Sequence, residues 1–272
     1  MTTTKRASGP SYGARVTARV DRISIAPVKS LGLVHPDHVE LQHGGVQGDR
    51  RFWLVDTNGY LLNNKRAGPL MTIRPEWDEA SRTLVLDLPD GRRVGGVVEL
   101  GDPEQMVLYG RPHPSRRVLG PWEDAIATVA GRPLKLLWSE EHATDRGAIG
   151  GDVSFVSTGS LERLRAELGE PGAVDGRRFR MLFELDGLEP HEEDTWIGST
   201  IRVGSAEVDV NGDVGRCAVT TLDPDTGLRD LDTLGALTRY RPEGLTDPLP
   251  FGVYGAVIVP GRVAVGDPVA PI

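Results

Sequence analysis

Residues 216–227 read Arg216-Cys217-Ala218-Val219-Thr220-Thr221-Leu222-Asp223-Pro224-Asp225-Thr226-Gly227. Cys217 is the only cysteine of the chain. The Val and Thr residues after it predict a strand, and the Pro and Gly that follow predict the turn that ends this strand. An adjacent arginine favours the thiolate, the form of cysteine that attacks substrates and binds metals. The alternative for a lone free cysteine is simple packing in the core.

Composition and charge exclude several classes of protein. The chain has 272 residues and a formal net charge of −8, so a nonspecific nucleic-acid binder is not expected. One cysteine permits no internal disulfide and no iron–sulfur cluster or zinc site built from several cysteines. This cysteine usage suits a reducing, cytoplasmic location. No signal peptide and no membrane-spanning stretch is expected from the pattern of apolar residues.

Short strands separated by turns dominate the pattern. Asn58-Gly59 and Pro89-Asp90-Gly91 each stand between apolar runs and predict hairpins. Short helices are predicted from Pro121 to Ala130, around Leu161–Leu168 and within Leu228–Tyr240. We therefore predict a mainly β fold of the α+β class, with a β-barrel and a few short helices.

A segment rich in Pro, Arg and His, from Pro112 to Pro121, marks a boundary between two halves. The polar residues at the N-terminus have little to bury and predict a disordered leader. The predicted divisions are a leader at 1–14, an N-terminal β-barrel-like domain at 15–118 and a second domain at 119–272.

Basic residues stand in loops beside strand ends, where binding residues gather. They are Lys29, Arg50, Arg51, Arg178, Arg180 and Arg216. Ammonium and guanidinium groups brought together from such loops could hold a phosphate; alternatively, they are separate surface charges. Ser157, Thr158 and Ser160 crowd the start of a predicted helix. They indicate either a simple N-cap or an anion site built with backbone N–H groups.

Several ordered motifs together resemble one known family. They are Ile25-Ala26-Pro27-Val28-Lys29-Ser30, Gly48-Asp49-Arg50-Arg51-Phe52-Trp53, Ser157-Thr158-x-Ser160-Leu161, Arg178-Phe179-Arg180, Asp186-Gly187-Leu188-x-Pro190, Ile197-Gly198, Arg216-Cys217-x-x-Thr220-Thr221-x-Asp223-Pro224-x-Thr226-Gly227, Gly252-Val253-Tyr254 and Val265-Gly266-Asp267. On these residues the chain resembles MOSC-domain proteins that also carry the family's N-terminal β-barrel domain. The resemblance spans nearly everything after the leader.

The resemblance implies a molybdenum–pterin cofactor. In members similar to the mitochondrial amidoxime-reducing component the cysteine ligates molybdenum, which implies Cys217 as both the metal ligand and the catalytic residue. The residues implied to bind the cofactor are Lys29, Ser30, Arg50, Thr158, Ser160, Arg178, Arg180 and Arg216. The family's Arg-Phe-Arg continues with Pro-Asn, whereas this chain has Met181-Leu182.

Three functions follow as hypotheses. In the first, the protein is a molybdenum-cofactor-dependent reductase of N-hydroxylated or N-oxygenated small molecules, with electrons from a separate ferredoxin- or cytochrome-like partner and its reductase. In the second, Cys217 carries a persulfide and transfers sulfur; no cysteine-desulfurase domain, and so no pyridoxal phosphate, is expected. In the third, a cofactor-free barrel serves a binding or pathway-specific role. None of the three involves nucleic acid or a membrane.

Overall fold

The structure is a computed structural model that describes residues 18–108, 111–140 and 151–272. The predicted leader at 1–14 lies outside these residues. The strands are β1 (Ala18–Ile23), β2 (His38–Gln42), β3 (Gly45–Val46), β4 (Phe52–Val55), β5 (Arg74–Asp78), β6 (Thr83–Asp87), β7 (Arg93–Val97), β8 (Glu99–Leu108), β9 (Arg111–Leu119), β10 (Lys135–Ser139), β11 (Val153–Ser157), β12 (Phe183–Asp186), β13 (Thr200–Val203), β14 (Ala206–Gly215), β15 (Pro250–Val259), β16 (Gly261–Ala264) and β17 (Pro268–Pro271). The helices are α1 (Trp122–Ala130), α2 (Thr158–Leu168) and α3 (Thr233–Tyr240), with short 3₁₀ helices at Gly68–Thr72, Gly176–Phe179, Glu192–Trp196 and Ala218–Thr221.

Seven strands form a closed barrel in the order β1-β12-β11-β15-β14-β13-β17, and β1 closes it by pairing with β17. Its strand pairs are antiparallel except for β11 and β12, which run parallel with α2 between them in the chain. Alternating apolar side chains, among them Val20, Phe155 and Val208, fill the interior. The mainly β, barrel-containing prediction is therefore confirmed.

The remaining strands form three smaller sheets. Their orders are β4-β10-β9-β8, β16-β2-β3 and β5-β6-β7. A second apolar core packs under these strands and α1, and it includes the buried Trp122, whose Nε1 donates to the carbonyl of Leu84 at 3.2 Å. No helix in the described part of the chain combines the length and apolar character needed to cross a bilayer.

The sheets do not divide at residues 118 and 119. β1 comes from the first predicted domain but completes the barrel of the second, where it pairs with β12 and β17. Conversely, β10 lies after the predicted boundary and pairs with β4 and β9 of the first domain. In addition, β16 of the second half pairs with β2 of the first. Strands of the two halves are therefore paired in three of the four sheets, and the domain division remains a prediction.

Turn and cap residues produce the local structure that they predict. Gly59 has a φ of 82° and donates its N–H to Asp56 at 2.9 Å, and Asp87 lies opposite Arg93 across the second hairpin. Helices α1 and α2 end at Gly131 and Gly169, both in the left-handed conformation that glycine tolerates. Helix α3 begins only at Thr233, where Asp232 caps it by accepting from Gly235 N.

The segment after Cys217 is a 3₁₀ helix, Ala218–Thr221, so the strand predicted there is wrong. The hydroxyls of Thr220 and Thr221 donate to the carbonyls of Cys217 and Ala218, three residues back, at 3.1 and 2.8 Å. These side-chain bonds satisfy carbonyls that a strand would present to a neighbour, so local hydrogen bonding overrides the β propensity of Val and Thr.

Candidate functional site

The exposed Cys217 lies at a cleft of about 220 Å³. The cleft is lined by Lys29, Ser30, Arg50, Leu61, Asn63, Asn64, Lys65, Arg178, Phe179, Arg180, Gly215, Arg216, Cys217, Val219 and Thr220. Both halves of the chain contribute to it. Six of these residues are Lys or Arg, and no Asp or Glu is among the described residues that line it. An acidic protein thus contains a basic cleft, which is the electrostatic setting for an anion.

Backbone hydrogen bonds fix the first wall at Lys29 and Ser30. Lys29 N donates to the carbonyl of Phe52 at 2.8 Å, and its Nζ lies 5.0 Å from the ring centre of Trp53. Ser30 is buried with a φ of 79°; its Oγ donates to Leu62 O at 3.2 Å, and its carbonyl accepts from Asn64 Nδ2 at 2.5 Å. A serine held in the left-handed region is a costly arrangement that the surrounding bonds impose.

Arg50 forms the floor of the cleft. It is 2% exposed, has a φ of 49° and pairs with the neighbouring Asp49. Asp49 Oδ1 also accepts from Ala26 N at 2.6 Å, and Arg50 Nη2 donates to the carbonyl of Arg180 at 3.3 Å. Asp49 and the carbonyl of Arg180 therefore hold the buried guanidinium of Arg50 in one orientation.

Three arginines of the second half form the opposite wall. Arg178 donates both Nη atoms to Asp230, at 2.6 and 2.5 Å. Arg180 has a φ of 53° and donates Nη2 to the carbonyl of Leu31 at 2.8 Å, which links the two halves across the cleft. Arg216 donates Nε and Nη2 to the carbonyl of Phe251 at 2.9 and 2.7 Å.

The Met181-Leu182 pair is packed inside the protein. Met181 is 4% exposed, and its sulfur accepts a hydrogen bond from Arg216 Nη2 at 2.6 Å. Leu182 is 1% exposed and belongs to the barrel core. Met181 therefore contacts Arg216, whose guanidinium is held by the carbonyl of Phe251, and Leu182 supplies core packing where the family pattern has a polar residue.

Cys217 precedes the 3₁₀ helix Ala218–Thr221 directly. Its carbonyl accepts from the N and Oγ1 of Thr220, both at 3.1 Å. Thr220 is buried, and its hydroxyl also lies 2.7 Å from that of Thr233 at the start of α3. The backbone of the cysteine is thus anchored, while its thiol faces solvent. This arrangement suits a ligand or nucleophile and excludes the core-packing alternative.

Thr158 and Ser160 lie away from this cleft. Thr158 donates to Asp186 at 3.0 Å. The Oγ of Ser157 caps α2 by accepting from Ser160 N at 3.0 Å, and both serine hydroxyls donate to the fully buried Glu193, at 2.8 and 2.7 Å. The simple N-cap is therefore present. The side chain of Glu193 already accepts hydrogen bonds from the two serine hydroxyls that a phosphate would need.

Sequence reasoning missed Asn63, Asn64 and Lys65, which line the cleft from the first half. They follow the apolar pair Leu61-Leu62 directly after the first hairpin. A polar run at the end of a paired segment is the usual place for binding residues, so this signal was present in the sequence.

A second arginine–carboxylate group borders the cysteine segment. Arg177 donates to Asp225 at 2.9 and 2.7 Å and to Asp175 at 2.8 Å. The hydrogen bonds that Arg177 donates to Asp225, and then those to Asp175, raise the pKa of Arg177, and the pKa of Asp225 is lowered chiefly by its hydrogen bond with Arg177. The turn at 223–227 is therefore tied to the 3₁₀ helix Gly176–Phe179.

Comparison with known families gives the class of this protein. Residues 142–270 match the MOSC domain, and residues 17–107 match the MOSC N-terminal beta barrel domain. These two matches together cover most of the chain, and the chain belongs to the MOSC family.

Relatives within this family include mitochondrial amidoxime-reducing component 1 of Mus musculus, 36% identical over 121 residues that cover 42% of this chain and 34% of that protein. The component 1 of Xenopus laevis is 26% identical over 305 residues, covering 97% of this chain and 85% of that protein. Molybdenum cofactor sulfurase 2 of Culex quinquefasciatus is 24% identical over 264 residues, covering 87% of this chain and 34% of that protein. The alignment therefore spans only about a third of the mouse and mosquito proteins.

Among solved structures, the YuaD protein of Bacillus subtilis aligns with a TM-score of 0.48 and 15% identity, covering 93% of this chain and 94% of that one.

Proposed function

We propose that this protein binds a molybdenum–pterin cofactor through Cys217 and reduces N-hydroxylated or related N-oxygenated compounds. One observation carries the proposal: the only thiol of the chain is exposed in a cleft that six basic residues line. Amidoxime-reducing components among the relatives support this class of reaction. A reducing, cytoplasmic location is proposed with it, on the strength of the single cysteine.

The donor set fits such a cofactor. A thiolate is the soft ligand that molybdenum accepts, and fixed guanidinium groups are suited to the phosphate of the pterin. Cys217 would hold the metal, and Lys29, Ser30, Arg50, Arg180 and Arg216 would hold the anionic part. When bound, the cofactor supplies two-electron chemistry with transfer of the substrate oxygen. Thr158 and Ser160 are left out of this set, because Glu193 and Asp186 engage their hydroxyls.

The chain's own residues bind and orient rather than supply electrons. A single cysteine cannot hold an iron–sulfur cluster. We therefore propose a separate electron-transfer protein as the partner. Arg50 pairs with Asp49 and donates to the carbonyl of Arg180, which joins the two halves at the cleft before any ligand arrives; such preorganisation reduces the ordering cost of binding.

The test is turnover of an amidoxime by protein purified from a host that makes the cofactor. NAD(P)H alone gives no turnover, whereas addition of a ferredoxin- or cytochrome-type donor with its reductase gives turnover that Cys217→Ser loses. NAD(P)H-driven turnover by the purified chain alone would contradict the proposed partner. Turnover by Cys217→Ser equal to that of the wild type would contradict the role of the thiol.

The second candidate is sulfur transfer through a persulfide on Cys217. The exposure of the thiol favours it, since exchange with a sulfur donor needs access. The molybdenum cofactor sulfurases among the relatives give it further support. Mass spectrometry of the purified protein separates the candidates: a mass increase of about 32 Da on Cys217 that a thiol reductant removes, one sulfur atom rather than the two oxygens of a sulfinic acid, supports transfer, whereas bound molybdenum supports reduction.

A further inference from the structure

We infer that Arg178 is a positioning residue that holds the loop of Cys217 through Asp230, rather than a direct ligand of the bound anion. The inference rests on the proposed role of Cys217 as the reactive group, and not on which group the cleft binds. It differs from the role that the family resemblance implies for Arg178.

Residues 217–230 form a loop that returns to its own start. Asp230 N donates to the carbonyl of Thr221 at 3.1 Å, and Asp223 N donates to Leu228 O at 2.7 Å. Within the loop, the carbonyl of Asp223 accepts from Gly227 N at 2.8 Å. These bonds make the loop one compact unit. A contact that fixes Asp230 therefore also fixes the 3₁₀ helix that follows Cys217, because Asp230 is bonded to Thr221 at the end of that helix.

Arg178 is the buried anchor of that unit. Its side chain is 5% exposed, and both Nη atoms form a fork on the two carboxylate oxygens of Asp230. Nη2 also lies 3.7 Å from Asp223 Oδ2, at the other end of the turn. A forked arginine–carboxylate pair fixes direction as well as distance. Arg177 repeats the pattern on Asp225, with more exposed partners.

The same geometry takes the bidentate fork of Arg178 away from a ligand. Each Nη atom already donates one N–H to Asp230, and Nε is buried without a hydrogen-bond partner in the described part of the chain, so only the second N–H of each Nη remains. A phosphate that took the fork would have to displace Asp230 and so release the loop. The carboxylate of Asp230 also balances the charge of the guanidinium, which weakens its attraction for a second anion.

Two thiol reagents of different charge test this inference on the whole 272-residue chain, whose single cysteine makes the readout unambiguous. The dianionic reagent dithiobis(nitrobenzoate) is attracted to a cationic cleft, whereas neutral dithiodipyridine is not. The ratio of their rate constants with Cys217 therefore measures how close the thiol is to the basic wall. It cancels changes in thiolate fraction, which affect both reagents alike.

The Asp230→Asn variant gives opposite results under the two roles. If Arg178 positions the loop, loss of the fork in this variant lets the thiol move away from the basic wall. The ratio of rate constants then falls about threefold or more, a change of the size that residues in direct contact exert on each other. If Arg178 acts only through its charge, removal of a nearby carboxylate raises the ratio. The double variant Arg178→Gln/Asp230→Asn keeps the wild-type net charge. Of the two single variants, Arg178→Gln and Asp230→Asn, one has the lower ratio, and we expect the ratio of the double variant to stay as low as that one.

Arg178→Lys provides a check that does not depend on Asp230→Asn being folded, because lysine keeps the charge and cannot form the fork. We expect a fall in the ratio for this variant too. Arg202→Gln, which removes an exposed ion pair with Glu207 on the barrel, is the matched control and leaves the ratio unchanged. An unchanged or raised ratio in Asp230→Asn, or a double variant that returns to the wild-type ratio, would overturn the inference.

The outcome is separable from that of the proposed function. A protein that binds no molybdenum but shows the expected ratios would end the proposed function and leave the positioning role intact. A protein that binds molybdenum through Cys217 but shows an unchanged or raised ratio in Asp230→Asn would end the positioning role and leave the proposed function intact.

Discussion

At the level of single residues, three of the six non-glycine residues with a positive φ in the described part of the chain line the cleft. Ser30, Arg50 and Arg180 all have a positive φ, and all three line the cleft. Each is held by bonds that cross between loops, such as Arg180 Nη2 to Leu31 O and Arg50 Nη2 to Arg180 O. Non-glycine residues keep such conformations only where the surroundings impose them, and they cluster at functional sites. The strain thus supports the same location as the charges do.

His191 gives a prediction about pH. Burial first, and then the charges of Arg241 and Arg163, lower the pKa of His191 from 6.5 to about 4. Between these values the unfolded chain binds a proton that the folded chain excludes, so stability falls as pH drops through this window. His191→Asn removes the ring and tolerates the φ of 62°.

We expect the stability advantage of the wild type over this variant to shrink by about 1–2 kcal/mol between neutral pH and pH ~4, after allowance for partial exposure. Urea unfolding at a series of pH values measures this difference. If the free energies of unfolding of the wild type and the variant changed in parallel between neutral pH and pH ~4, the lowered pKa of His191 would be contradicted.

Contact between two elements holds the cysteine loop against the first half of the chain. Gly68, at the start of a 3₁₀ helix, meets the turn at Gly227 backbone to backbone. A Cβ at Gly68 would lie 2.1 Å from the carbonyl oxygen of Gly227. Only a hydrogen atom fits there, so the turn after Cys217 is seated on Gly68–Thr72.

Gly68→Ala is predicted to destabilise the protein by about 1–3 kcal/mol, because the two backbones must separate. It should also lower the reagent-rate ratio of Cys217, since the turn belongs to the same loop. Gly172→Ala is the control, because a Cβ there meets nothing within 4 Å. Chemical denaturation of both variants measures the cost. Equal stabilities would show that the two elements are not held together at this point.

Elements defined by local chemistry could be predicted from the sequence. Asn58-Gly59 and Asp90-Gly91 encode hairpins by their backbone preferences, and Gly131 and Gly169 end helices for the same reason. The segment after Cys217 was mispredicted, because its threonine hydroxyls bond to carbonyls three residues back. The β propensity of a residue reflects its branched side chain and does not include a hydrogen bond from that side chain to a nearby carbonyl.

The cleft could be predicted from the sequence only in part. Lys29, Arg50, Arg178, Arg180 and Arg216 do converge, but their separation in the chain gave no physical reason to expect it without the family resemblance. Nor could the sequence show that Asp230 engages Arg178 or that Glu193 engages Ser160, since both pairings depend on how distant segments pack.

Strand pairing between the two halves of the chain determines whether either half can fold and unfold cooperatively by itself. Without β1 the barrel is open between β12 and β17. A fragment of residues 119–272 is therefore predicted to lack a cooperative unfolding transition, whereas the 272-residue chain shows one. Circular dichroism during thermal unfolding measures this. A sharp transition of the shorter fragment would show that residues 119–272 fold as the independent domain first predicted.

The central claim for the whole molecule is that both halves form a basic cleft in which one thiol holds a metal. The most direct measurement is the molybdenum content of the wild type and of Cys217→Ala, each purified from a host that makes the cofactor and compared at equal folded concentration. We predict close to one molybdenum per chain in the wild type and a large loss in the variant. A wild type without molybdenum, or a variant that retains the same content, would contradict this account.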